Sequence, residues 1–138
     1  MKDRNLIETG GALLRQAMSV LVVDDNDDVR TMLARLLRSI GVVDVAQANS
    51  GEAALEWIAQ HHVDVIVMDV QMPGMGGIEA TRAIKREHPG ITIFGFTSWG
   101  ETSSSLMLEA GASASFDKTD GPSLMTAIEQ WREEHTGE

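Results

Sequence analysis

Asp69 closes an apolar, largely β-branched run, Val63-Asp64-Val65-Ile66-Val67-Met68, and precedes Val70-Gln71-Met72-Pro73-Gly74-Met75-Gly76-Gly77. A carboxylate at the end of such a strand, just before a Pro/Gly-rich turn, is costly to place without a partner. A second run, Ser19-Val20-Leu21-Val22-Val23, ends the same way, in Asp24-Asp25. If the two runs are neighbouring parallel strands, three carboxylates meet at one sheet edge. At about 5 Å and an effective dielectric near 20, each pair repels by roughly 3 kcal/mol. A divalent cation removes that repulsion, and an all-oxygen site on few protein ligands suits Mg²⁺. Asp69 is then placed to act as a nucleophile toward a phosphoryl group. Thr97 and Lys118 follow two further strand-like runs. The threonine hydroxyl can bond a phosphoryl oxygen, and the lysine can balance phosphoryl charge as a point-charge donor.

These groups need a scaffold, and the chain supplies a regular one. Strand-like runs at 19–23, 42–47, 63–68, 91–96 and 113–116 alternate with helix-period segments at 26–39, 51–60, 77–87, 101–110 and 122–134. In the first helix Val29, Met32, Leu33, Leu36, Leu37 and Ile40 form one apolar stripe, stopped by Gly41. Asn49 or Ser50 can cap the second helix, Pro89-Gly90 ends the third, and Pro122 suits the first turn of the last. Strict strand–helix alternation implies an α/β fold: a doubly wound parallel sheet of five strands with helices on both faces. Function in such sheets gathers outside the carboxyl ends of the strands, where the acidic residues lie. Residues 1–18 read as an N-terminal extension to a domain of residues 19–138. Leu6, Ile7, Leu13, Leu14 and Met18 are roughly helix-spaced, interrupted by Gly10-Gly11, so a frayed helix, a dimer contact or a disordered leader is expected there, with partial order favoured.

At 138 residues the chain is one domain by size. A formal net charge of −10 argues against direct nucleic-acid binding, which draws its affinity from Lys and Arg. No apolar run approaches the roughly 20 residues of a membrane span. With no cysteine, disulfides and thiolate metal sites are excluded, and a cytoplasmic protein fits best. Met68 reads as core, with Met72 and Met75 as loop packing rather than a soft-metal site. His61-His62 read as an exposed helix end, and His88 and His135 as helix C-terminal residues.

The segments Val22-Val23-Asp24-Asp25-Asn26, Val67 to Gly77, Thr97-Ser98 and Asp117-Lys118 resemble the response-regulator receiver domains of two-component signalling. The resemblance covers about residues 19–134. It implies the flavodoxin-like strand order 2-1-3-4-5. It further implies that Asp69 accepts phosphate from a histidine kinase or phosphotransfer protein. Asp24, Asp25, Asp69 and the backbone carbonyl of Gln71 would hold Mg²⁺, and Thr97 and Lys118 would bind the phosphoryl group. A downstream protein would be met through the 101–110 and 122–134 helices, with Trp131 as an anchor. Receivers usually carry an aromatic residue three positions before the lysine, and a proline after it. Here those positions hold Ser115 and Thr119. Chemistry at Asp69 is therefore expected intact, with Phe116 or Trp99 as substitutes for the aromatic switch.

Two other readings share these residues. One is a pseudo-receiver, a binding module that is never phosphorylated. The other is an Asp-nucleophile phosphatase, which generally needs a nearby general acid and a substrate cap. Val70-Gln71 supplies no such acid, and the chain has no room for a cap.

Overall fold

The computed structural model describes residues 7–9, 12–14, 17–98 and 101–136. Two short strands, β1 (Ile7–Thr9) and β2 (Ala12–Leu14), pair antiparallel as a sheet of their own. The helical spacing read from this stretch thus gives way to strand.

The main sheet consists of β3 (Ser19–Val23), β4 (Asp44–Ala48), β5 (Val65–Met68), β6 (Thr92–Thr97) and β7 (Ala114–Asp117). The helices between and after them are α1 (Asp27–Ser39), α2 (Gly51–Gln60), α3 (Gly77–Glu87), α4 (Glu101–Ala110) and α5 (Gly121–Thr136). All neighbouring strands run parallel, in the order β4-β3-β5-β6-β7. Counted within the sheet this is 2-1-3-4-5, the doubly wound order expected. Predicted and observed boundaries differ by at most two residues.

Period-2 alternation sorts the strand residues between two apolar layers. Leu21, Val23, Ile66, Met68 and Ile93 pack with Ala54, Ile58, Ala80, Ile84 and Met107, under α2, α3 and α4. Val20, Val22, Val65, Val67, Phe94 and Phe96 face the other way, against Leu33 and Leu37 of α1 and Leu124 and Ile128 of α5. Each such side chain fully buried contributes about 1.5–3 kcal/mol. The helices start where their caps dictate. Asn26 accepts from the Val29 N–H and Ser50 from the Ala53 N–H. Asp120 accepts from the Ser123 N–H one turn into α5. Gly41 takes φ +91° just past α1, a conformation that costs glycine nothing.

The amino ends of the strands carry their own polar cluster. Ser19 donates its N–H to Asp64 (2.9 Å) and its hydroxyl to Asp44 (2.5 Å), and His62 pairs with Asp64 at 2.7 Å. Two tryptophans lie at the same end, each stacked on the histidine four residues later. Trp57 and His61 have ring centroids 3.6 Å apart, Trp131 and His135 3.9 Å. Trp131 also donates to the Thr92 hydroxyl at 3.0 Å and packs at the core edge.

Candidate functional site

The carboxyl ends of four strands bring the sequence candidates together. Asp24 follows β3 and its N–H bonds the Ala48 carbonyl, while the Asp69 N–H bonds that of Val23. The ladder therefore runs one residue past each strand and fixes both backbones. Asp24 and Asp69 are only 1% and 4% exposed, whereas Asp25 is exposed. One ligand oxygen from each of Asp24, Asp25 and Asp69 lies within 4.8 Å of the other two. Three oxygens so placed, two of them on buried carboxylates, form a donor set that fits a hard divalent cation.

Lys118 reaches into the same cluster. Its Nζ lies 2.9 Å from Asp24 Oδ2 and 3.3 Å from Asp69 Oδ1. The turn behind it is held locally. Asp117 Oδ1 accepts from both the N–H (2.8 Å) and the hydroxyl (2.6 Å) of Thr119. Thr119 thus ties down the turn by hydrogen bonds, where receivers usually rely on a proline. Those bonds, the hydroxyl's first, hold the Asp117 carboxyl below its ordinary value. Thr97 is buried at the end of β6, paired with Asp117 across the sheet, and its carbonyl accepts the Lys118 N–H at 3.1 Å. Gln71 is exposed two residues beyond Asp69, in the loop before α3.

Burial, joined by the negative charge of Asp24, pushes the Asp69 carboxyl up to about 6 despite the opposing pull of Lys118. For Lys118 burial acts downward, but hydrogen bonding and attraction to Asp24 and then Asp69 outweigh it and raise the ammonium. One lysine shared between two buried carboxylates leaves the cluster short of positive charge. A bound cation or a phosphoryl group seated beside the lysine would each change that balance.

Three supporting residues escaped the sequence reading. Arg30 on α1 donates to the Asp24 carbonyl (2.7 Å) and to Gln47 Oε1 (3.1 Å), and also pairs with Asp27. It pins the acidic loop to β4. Glu52 accepts the Met75 N–H at 3.0 Å and so tethers the loop after Asp69 to α2. At Gly77 a Cβ would sit 1.9 Å from the Asp69 carbonyl oxygen, so only glycine lets α3 start this close to the acidic residue. The Arg30–Gln47 and Glu52–Met75 bonds span 17 and 23 positions of sequence, beyond any local pattern.

The expected substitutes for the missing aromatic fare differently. Ser115 lies beside Gly95 and points toward α4, whereas Phe116 alternates to the opposite face and packs edge-on against Phe94 at 6.1 Å. Phe116 therefore belongs to the α5 layer. Trp99 lies outside the described residues. Ser115 and Ser103 of α4 carry buried hydroxyls with no hydrogen-bond partner among the described residues. Each such group costs about 1–3 kcal/mol.

Among the described residues no helix is long and apolar enough to cross a membrane. Residues 20–130 match the family model described as "Response regulator receiver domain". The chain is 45% identical over 104 residues to response regulator GacA of Pseudomonas viridiflava, covering 74% of this chain and 49% of that protein. Against response regulator UvrY of Escherichia coli K12 it is 38% identical over 107 residues, 76% of this chain and 49% of that protein. The chain thus spans about half the length of these curated relatives. The structure of response regulator TrrA from Thermotoga maritima in complex with Mg²⁺-BeF superposes with a TM-score of 0.75 at 26% identity, covering 82% of this chain and 97% of that one. Fold, site geometry and relatives agree: the chain belongs to the response-regulator receiver-domain family of two-component signalling.

Proposed function

We propose that this receiver is switched by phosphorylation of Asp69, with a histidine kinase or a phosphotransfer protein as donor. The observation that carries the reading is the lysine bridge between two buried carboxylates, Lys118 Nζ to Asp24 and Asp69, inside a three-carboxylate cluster. Asp24, Asp25 and Asp69, with the Gln71 carbonyl, would hold Mg²⁺. Bound there, the ion neutralises carboxylate and phosphoryl charge.

The chain's own residues do the rest. One Asp69 oxygen forms the new O–P bond while the P–N bond of a phosphohistidine donor breaks, its electron pair leaving with the imidazole. Lys118 stays ionised and follows the charge from the carboxylate to the phosphoryl oxygens. Thr97 donates its hydroxyl to one of those oxygens and biases the following loop and α4 between two arrangements. Water attack on phosphorus later releases inorganic phosphate, so the domain catalyses only its own modification and its reversal. Output passes to a protein partner through α4 and α5. In this reading residues 1–18 are an extension to a receiver of residues 19–138.

Incubation with Mg²⁺ and acetyl phosphate should yield an acid-stable, base-labile adduct of about 80 Da, the mass of one phosphoryl group. Asp69→Asn should abolish it. An unmodified wild-type chain would sink the reading in favour of a phosphorylation-independent binding module, which the complete site does not favour.

A further inference from the structure

Lys118 leaves the turn between β7 and α5 and crosses to aspartates at the ends of two other strands, Asp24 at 2.9 Å and Asp69 at 3.3 Å. A flexible four-carbon stem delivers its ammonium to one place only if the backbone it starts from is fixed. A proline at 119 would fix it, because the proline ring confines the residue before it to extended conformations. Thr119 imposes no such limit.

The side chain of Asp117 supplies the limit instead. Its Oδ1 accepts the Thr119 N–H at 2.8 Å, two residues on, and so closes a hydrogen-bonded ring with Lys118 as the middle residue. Both backbone torsions of the lysine lie inside that ring. The Thr119 hydroxyl donates to the same oxygen at 2.6 Å and holds the carboxylate in place. The flanks are tied as well. The Asp120 N–H donates to the Asp117 carbonyl at 2.8 Å, and the Lys118 N–H donates to that of Thr97 at 3.1 Å. Asp117 and Thr119 are both exposed, whereas the ammonium they steer reaches two buried carboxylates.

We propose that Asp117 and Thr119 form a clasp that sets the rate of phosphoryl transfer to Asp69 by fixing the backbone of Lys118. The proposal rests on the phosphoacceptor reading above, in which the lysine follows charge from the carboxylate to the phosphoryl oxygens. Asp117 and Thr119 are positioning residues, acting through the lysine rather than at the reacting atoms. Two hydrogen bonds do here what a covalent ring would do with proline at 119. The clasp is therefore open to removal one bond at a time.

Thr119→Val removes one bond with little change of shape and none of charge, and Asp117→Ala removes both. Labelling of Asp69 from acetyl phosphate is timed at saturating Mg²⁺ in each variant, and again with Lys118→Ala added. Thr119→Val should slow labelling about fivefold, the scale of one net hydrogen bond, and Asp117→Ala about tenfold. Thr119→Ser, which keeps the hydroxyl, should match wild type. The Mg²⁺ concentration giving half the maximal rate should not move. In the Lys118→Ala background neither substitution should slow labelling further, because the group they position is gone. Slowing of the same size with and without the lysine would overturn the clasp, and so would wild-type rates in both variants. If wild type takes no label, the phosphoacceptor reading fails, and the clasp is decided by hydrogen exchange at the Lys118 amide. That exchange should quicken at least about fivefold in Asp117→Ala, and an unchanged rate would overturn the clasp.

Discussion

The two edges of the sheet both gather aspartates, and they use them oppositely. At the amino edge Asp44 and Asp64 are met by donors: the hydroxyl and N–H of Ser19, and the ring of His62. Those carboxylates fasten strands together and have little left to offer. At the carboxyl edge Asp24, Asp25 and Asp69 face one another and two of them share a single ammonium. An acidic cluster becomes chemically available when its charge exceeds what its neighbours supply. Counting aspartates does not separate the two edges, whereas following each carboxylate to its donors does.

That contrast can be broken from the carboxyl edge first. Lys118→Ala removes the shared ammonium, which in the proposed function is also the partner of the transferring phosphoryl group. Adduct formation from acetyl phosphate should drop about a hundredfold, the usual scale for losing one electrostatic stabiliser. Labelling within a few-fold of wild type would mean that the lysine bridge is structural.

Next in size is the pH dependence of stability. The folded chain holds the Asp69 proton up to about pH 6, against an ordinary value of 3.8. Between those values the folded state binds more protons than the unfolded one, so stability falls as pH rises through that window. Without divalent ions, Asp69→Asn should stabilise the protein at pH 7.5 by about 1–3 kcal/mol, a gain that vanishes below about pH 4. Urea unfolding at both pH values measures it, and an equal or reversed effect at pH 7.5 would refute the electrostatic account.

The smallest change belongs to the amino edge. Ser19→Ala removes one hydroxyl bond to exposed Asp44 and should cost about 0.5–1.5 kcal/mol in the same assay. Labelling of Asp69 should be untouched. A labelling defect would show that the edges are coupled.

Most of this architecture was legible in the chain because it rests on local rules. The stripe from Val29 to Ile40, the caps at Asn26 and Ser50 and the β-branched runs specify their elements without help from afar. The aspartates and Lys118 could be placed because a parallel sheet puts every strand end on one edge. Phe116 could also have been excluded by alternation, since Ser115 facing α4 sends its neighbour to α5. The reach of Arg30 to Gln47 and of Glu52 to Met75 was invisible because those partners come from other elements, and a lone charged residue on a helix face carries no such address. The N-terminal stretch misled because two short apolar runs around Gly10-Gly11 satisfy helical spacing and hairpin spacing alike.

The stacked Trp–His pairs have a consequence for optical measurements. Trp57 and Trp131 both lie at the edge remote from Asp69, each against an imidazole. Their emission should remain indifferent to ligands at the aspartates. The third tryptophan, Trp99, follows Thr97 by two positions in the chain. A change in intrinsic fluorescence on adding Mg²⁺ or beryllofluoride at constant pH can therefore be assigned to one indole, and Trp99→Phe should silence it.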